Sequence, residues 1–364
     1  MAKPVHATAF PVSEGYPYPI VKRLTQHCLT NGLSVLVLGC PGGGKSAMAA
    51  ELAADLQRKL VDVRLAQQDP SEIAGINVPD HQNRALLRYA TDWVTKACAE
   101  PCLVFLDEIN AAVTRLHQSV AYQIVLEKRI GPHVFHPQTV VMAAGNREED
   151  EALAVAMSSA LRNRFVHFTL RVDADAWIDW ATRQDLSPDI IAYIAFRKEP
   201  GLFKMTGETA FPTPRSWAMA AQADGGHLPA LDRKRILAGC VGEAAASEWA
   251  TFHAVYRQVD VDAILTQGKL PSLQNADPAF LYALTFSVVQ LLRTRGLTTA
   301  QAPHLLALME APGYAAEFLP LLVRGIADTR AFQILSTSKV FERIRSRIIT
   351  LLQATQGGAL AQAA

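Results

Sequence analysis

The sequence predicts an α/β domain, a five-stranded parallel sheet with flanking helices, followed by an all-helical region. Three observations carry this. The loop Gly39-Cys40-Pro41-Gly42-Gly43-Gly44-Lys45-Ser46 matches the phosphate-binding pattern G-x-x-x-x-G-K-[ST] in full. Short apolar runs alternate with helix-forming stretches over residues 33–170, as in a parallel sheet covered on both faces. From residue 173 onward strand signals stop and only helical spacing remains.

In chain order, residues 1–16 carry Pro4, Pro11 and Gly15 and read as an extended arm. Residues 18–31 space Ile20, Val21, Leu24 and Cys28 as a helix does. The apolar run 33–38 is a buried strand, and 47–56 is rich in good helix formers. The phosphate loop therefore lies between a strand and a helix N-terminus. Residues 60–65 alternate apolar and polar as a second strand. Residues 67–75 read as a turn and short helix, and 76–88, with Pro79 and Asn83, as an irregular loop insertion. A helix over 89–99 turns Trp93 and Val94 inward. Residues 102–108 form a third strand ending in two carboxylates. Residues 119–127 are helical, 129–135 are punctuated like a hairpin, and 139–144 and 165–170 are the fourth and fifth strands. Residues 147–151 are acidic and read as a solvated face or loop. Helices follow over 173–181, 188–197, 214–223 and 232–258. Residues 268–278 are linker-like, helices resume over 278–293, 298–309, 312–323 and 338–352, and 356–364 reads as a frayed end.

Composition narrows the function classes. Half of the 364 residues are apolar, enough for a sizeable core, and the net charge of +1 gives no sign of a general polyanion binder. Five scattered cysteines form no disulfide framework or zinc spacing, which points to a reducing, cytoplasmic compartment. The N-terminus lacks the plan of a signal peptide, and no apolar run is long enough to span a bilayer.

The chemistry is read from residue types. Glycines in the loop let the backbone turn tightly and aim N–H groups at phosphate oxygens, and the helix dipole favours negative charge there. Lys45 would reach the β- and γ-phosphates and Ser46 would bind Mg²⁺. Asp107, at a strand end about 60 residues past the loop, supplies a hard oxygen for the cation, and Glu108 can polarise a water for attack on the γ-phosphate. Asn146, after a strand and a glycine, could orient that water, although an ordinary turn asparagine would look the same. Arg162 and Arg164, before the fifth strand, are either surface arginines or groups that stabilise phosphoryl transfer. Arg215 opens a helix, where a cation gains nothing from the dipole. That local conflict is of the kind found at functional residues. The lone histidines His81, His117, His133 and His136 are given no role, and Trp177, Trp180, Trp217 and Trp249 read as core.

Taken together, these motifs resemble the AAA+ ATPases and, within them, the MoxR branch, over residues 18–250. The most specific piece is Leu106-Asp107-Glu108-Ile109-Asn110, followed by a helix and Glu127-Lys128-Arg129; Asp69 to Gly75 is also similar. The resemblance implies that Gly39, Pro41, Gly42, Gly43, Gly44, Lys45, Ser46 and Ala47 hold ATP as the Walker A loop, with Ser46 and Asp107 on Mg²⁺. It implies Asp107 and Glu108 as Walker B and Asn146 as sensor 1. Arg164 would be an arginine finger acting on a neighbouring subunit's ATP, assisted by Arg162, and Arg215 would be sensor 2. The loss of strand signals after 173 and the linker-like 268–278 divide the chain into an AAA+ core (1–172), a helical lid (173–267) and a C-terminal helical extension (268–364). Insertions at 76–88 and 129–138 would face a target or pore. The branch often has Arg after D-E-I-N, where this chain has Ala111, and 270–364 matches nothing in it. The expected machine is a homo-oligomeric, hexameric ring that uses ATP to remodel a partner protein, one with a von Willebrand A-type domain being common for the branch. A nucleic-acid motor is the alternative, drawing on Arg324, Arg330, Lys339, Arg343, Arg345 and Arg347. A nucleotide-dependent scaffold is the third reading.

Overall fold

The computed structural model describes residues 15–69, 73, 75–111, 114–147, 157–223, 228–314 and 318–346. The chain divides into two units, Met1–Asp173 and Ala174–Ala364.

The first unit runs α1 (Tyr18–Thr30), β1 (Val35–Gly39), α2 (Lys45–Asp55), β2 (Lys59–Arg64), β3 (Ile76–Asp80), β4 (Ala85–Tyr89) and α3 (Asp92–Ala99). It continues through β5 (Cys102–Asp107), α4 (Arg115–Tyr122), β6 (Arg129–Ile130), β7 (His133–Val134), β8 (Val140–Gly145), α5 (Ser159–Arg162) and β9 (Val166–Leu170). The main sheet has five strands in the order β2-β5-β8-β1-β9, and its pairings are parallel. The five strands expected from the apolar runs are those of this sheet.

Alternation along the strands divides the core between the two faces. Val35, Val37, Leu103, Phe105 and Met142 pack with Val21 and Leu29 of α1 and Met48 and Leu52 of α2. Leu36, Val104, Leu106, Val141 and Ala143 pack with Val94 and Ala97 of α3 and with Ile124 and Val125. β5 and β8 are buried along their whole length. Buried on both faces, they read as unbroken apolar runs rather than as alternation.

Strand order positions the site. Ligands of open parallel sheets bind beyond the carboxyl ends of the strands. Here β8 lies between β5 and β1. The residues after β8 therefore fall between the carboxylates that end β5 and the glycine loop that follows β1.

Several segments differ from the sequence reading. Residues 76–88 are no irregular loop: β3 and β4 pair antiparallel, from Ile76 with Tyr89 to Asp80 with Ala85. The turn is held by Asp80, whose Oδ1 accepts from the backbone N–H groups of Gln82 (3.0 Å) and Asn83 (3.1 Å). Pro79 hid this strand, since proline is usually confined to strand edges. The 119–127 helix starts earlier, at Arg115, and ends in a π-helical turn, Gln123–Glu127. Its N-cap is a Thr114–His117 box that an S/T-x-x-E pattern does not reveal. The 232–258 helix is two helices, Ala230–Val241 and Glu243–Tyr256. They break at Gly242, whose φ of 87° is open to glycine but not to a helix. The expected 129–135 hairpin is β6–β7. The arm over residues 1–14, most of the 70–74 segment, the acidic 148–151 run and the chain after 346 lie outside the described residues.

The second unit is helical: Ala174–Arg183, Pro188–Arg197, Pro214–Ala223, Val261–Gln267, Pro278–Thr294, Ala302–Glu310, Phe318–Ile326 and Arg330–Ser336 join the two helices named above. Trp217 and Trp249 are buried at its core, as expected. Phe196 stacks on Phe252 (5.6 Å) and meets Tyr282 edge-on (6.0 Å), which ties helices on both sides of residues 268–277. Within that segment Leu273 is buried.

One polar knot organises these helices. Asp189 Oδ2 lies 2.8 Å from Arg233 Nη2 and 2.8 Å from His253 Nδ1. Its Oδ1 accepts from Ser187 Oγ (2.6 Å) and the Ile190 backbone N–H (3.0 Å). Burial pushes the Asp189 carboxyl up, but the bonds from His253 and Ser187 and the charge of Arg233 outweigh it, and the net direction is down. A folded pKa below the unfolded value means stability present above the unfolded pKa and lost as pH falls through the folded one. Asp189→Ala is expected to destabilise the helical unit by about 3–5 kcal/mol at neutral pH, because the largely enclosed Arg233 guanidinium loses the carboxylate that balances its charge. Urea unfolding followed by tryptophan fluorescence checks this. The parent should lose the advantage below about pH 4, and equal stability of the two proteins at pH 7 would refute the role of the knot.

Candidate nucleotide site

α2 begins at Lys45 directly after Gly44, whose φ is 90°. Its exposed N–H groups and dipole make this helix start a place for an anion. Lys45 is 8% exposed. Its Nζ donates to the carbonyls of Gly39 (2.8 Å) and Cys40 (2.9 Å) and to Asn146 Oδ1 (3.0 Å). These three oxygens fix the position of the ammonium. Ser46 Oγ donates to Asp107 Oδ2 at 3.0 Å across 61 residues of sequence. Asp107 is buried at the end of β5, and its Oδ1 accepts the Glu108 backbone N–H at 2.9 Å.

Glu108 has φ 51°, a left-handed conformation for a side chain that rarely adopts it. Such residues cost about 1–3 kcal/mol and cluster at functional sites. The turn ends β5 and leaves Glu108 exposed beside buried Asp107. The chain then rejoins the sheet, with the Ile109 N–H donating to the Ala144 carbonyl at 2.9 Å. Asp62, on neighbouring β2, is raised first by burial, with Arg64 opposing and Asp107 and Glu108 adding to the rise. Negative charge thus gathers at this edge of the site.

Direct hydrogen bonds therefore pair Lys45 with Asn146 and Ser46 with Asp107, with Glu108 adjacent. The arginines are placed differently. Arg164 Nη2 donates to Tyr122 Oη at 2.7 Å, and its guanidinium carbon lies 5.1 Å from the centre of that ring. Arg162 is exposed, and its carbonyl is 2.7 Å from His167 Nε2. Arg215 is exposed at the second position of the helix Pro214–Ala223, in the other unit.

Asn110 has no role in the sequence reading, yet its side chain pairs twice with the backbone of Asn146. The available signal was a polar residue just past a wholly apolar strand. Tyr122, the partner of Arg164, gave none.

The residues fit Mg²⁺. Ser46 and Asp107 offer hard oxygens 3.0 Å apart. Among the described residues no group of three or more His, Cys, Asp or Glu could hold a metal. Mg²⁺ needs no such cage, since it commonly keeps waters and takes one or two protein oxygens beside phosphate.

Residues 35–170 match the ATPase family associated with various cellular activities (AAA). The chain carries an AAA ATPase domain. Its sheet, loop and paired carboxylates fall inside the matched residues. No curated protein matches the sequence. Among solved structures, a Cytophaga hutchinsonii protein described as a candidate ATPase is 18% identical, with a TM-score of 0.29, covering 42% of this chain and 45% of its own. NtrX from Brucella abortus, in complex with ADP, is 12% identical over 66% of this chain and 63% of its own, TM-score 0.36. A mutant RuvB from Thermotoga maritima is 14% identical over 79% and 85%, TM-score 0.38. The chain thus spans less than two thirds of the first two. At TM-scores this low, the family match alone identifies the domain.

Proposed function

We propose that this protein is a MoxR-type AAA+ ATPase that hydrolyses ATP at the subunit junctions of a hexameric ring and uses the cycle to remodel a partner protein. The observation that carries the ATPase part is the bonding of Lys45 to Asn146 and of Ser46 to Asp107, with Glu108 beside them. Gly39, Pro41, Gly42, Gly43, Gly44, Lys45, Ser46 and Ala47 would hold the nucleotide, and Ser46 and Asp107 would hold Mg²⁺. When bound, the cation would offset phosphate charge. Lys45 would hold the β- and γ-phosphates, Glu108 would take a proton from water, and Asn146 would orient that water. The roles of Arg164, Arg162 and Arg215 rest on their motif positions.

The MoxR reading is supported by the run from Leu106 to Asn110 and by two short hairpins in the regions expected to carry insertions. β3–β4 presents Ile76, Val78, Leu86, Leu87 and Tyr89 exposed, apolar surface suited to a protein partner. A separate chain with a von Willebrand A-type domain is the first partner to try, in the cytoplasm. Among the described residues no helix is long and apolar enough to cross a membrane. The nucleic-acid alternative is weakened by pairing within its basic cluster: Arg324 meets Asp179, and Arg343 lies 3.5 Å from Glu310. Arg347 lies outside the described residues.

Steady-state phosphate release, with and without such a partner, tests the proposal. We expect Mg²⁺-dependent ATP turnover that the partner stimulates. Turnover stimulated by DNA and lost as salt rises would favour the motor instead.

A further inference from the structure

One buried side chain ties the loop after β5 to the end of β8, and the chemistry proposed above does not use it. Asn110 is 7% exposed. Its Nδ2 donates to the Asn146 carbonyl at 2.8 Å, and its Oδ1 accepts the Asn146 backbone N–H at 3.1 Å. A neighbouring strand would give the same two bonds. The Asn110 amide therefore continues the β5–β8 ladder beyond its last pair, Leu106 with Ala143. Gly145 is matched to this contact, since a Cβ there would fall 2.5 Å from Asn110 Oδ1 and 3.0 Å from its Cγ. Only a short side chain that both donates and accepts can fill this position. An ionised aspartate only accepts, and leucine does neither.

The contact matters because of what Asn146 does next: its own Oδ1 holds Lys45 Nζ at 3.0 Å. Hydrogen bonds thus run from the loop carrying Glu108, through Asn110 and the Asn146 backbone, to the lysine of the phosphate loop. We propose that Asn110 is a positioning residue for hydrolysis, fixing where the Asn146 amide stands between Glu108 and Lys45. The proposal rests on the ATPase reading above. Asn110 meets no substrate and acts through Asn146. Its loss should therefore slow the chemical step and spare nucleotide affinity.

The test uses the full chain with Asn110→Ala, Asn110→Asp, Asn146→Ala and the double variant Asn110→Ala/Asn146→Ala. Misplacement of a reacting group by about 1 Å can cost roughly 100-fold in rate. Asn110→Ala and Asn110→Asp should lower kcat by up to that factor, with binding of a fluorescent ATP analogue kept within about threefold. The double variant should be no slower than Asn146→Ala, because the two residues act as one unit. Hydrogen exchange at the Asn146 amide should quicken about tenfold or more in Asn110→Ala once its acceptor is gone. Parental kcat in Asn110→Asp, losses that multiply in the double variant, or unchanged Asn146 exchange would each overturn the proposal. A parent chain with no turnover would count against the ATPase reading, and Asn146 exchange would then decide the positioning role alone. Thermal unfolding without nucleotide guards against a merely misfolded variant. Asn110→Asp, which keeps shape and one bond, remains informative if Asn110→Ala fails to fold.

Discussion

Glu108→Gln is expected to bind ATP like the parent and to turn over at least about 100-fold more slowly, the lower end of what a positioned base contributes. At about 1.4 kcal/mol per tenfold, that is roughly 2.8 kcal/mol of barrier. Glutamine keeps the length and branching of glutamate but cannot take a proton from water. It should also leave the site intact. The Glu108 backbone N–H, not its carboxylate, bonds Asp107. The Glu108 side chain is exposed, and the Ser46–Asp107 bond does not involve it. Phosphate release measures the first effect and a fluorescent ATP analogue the second. Turnover at the parental rate would remove Glu108 from the role of base. Lost binding would mean that it helps hold the nucleotide.

The parts of this site differ in how far the sequence reveals them. The phosphate loop is legible because its constraint is local: glycines, a lysine and a helix start must follow one another. β5 and its carboxylates are legible for the same reason, an apolar run that ends abruptly in Asp107 and Glu108. The bonds between these pieces span 61 residues in one case and 101 in another. They exist because β8 falls between β5 and β1, and strand order is written in no single segment. Asn110 shows the cost of reading locally. Its partner is 36 residues away, and only the β5–β8 pairing reveals that its amide closes a ladder. The β3–β4 hairpin was obscured by Pro79, and the break at Gly242 by the helix formers on both sides. At Gly242 one residue's backbone preference overrode its neighbourhood, whereas at Pro79 the β3–β4 pairing overrode the residue's preference.

The arginines give the other large effect. Arg164→Ala is expected to lower ATP turnover by about 1,000-fold, the scale at which an arginine supplied in trans stabilises phosphoryl transfer. The loss should be partly recovered by mixing with Lys45→Ala subunits, which are themselves inactive. In a mixed ring, a Lys45→Ala subunit still presents Arg164 to a neighbour, and an Arg164→Ala subunit still has an intact phosphate loop. Some junctions are then complete although neither parent ring has any. In the structure Arg164 is committed within its own subunit, bonded to Tyr122 at 2.7 Å with its guanidinium over the ring. That contact supplies a rival explanation, since Arg164 could serve only to pack α4 against the segment before β9. Mixing separates the two, because a defect within one subunit cannot be repaired by its neighbour. Arg162, exposed on the same segment, is the necessary comparison. If Arg162→Ala is rescued by mixing and Arg164→Ala is not, the trans-acting charge is Arg162 and Arg164 braces it through Tyr122. If neither variant is rescued at any ratio, the junction model fails, and each site must hydrolyse ATP with groups from its own chain.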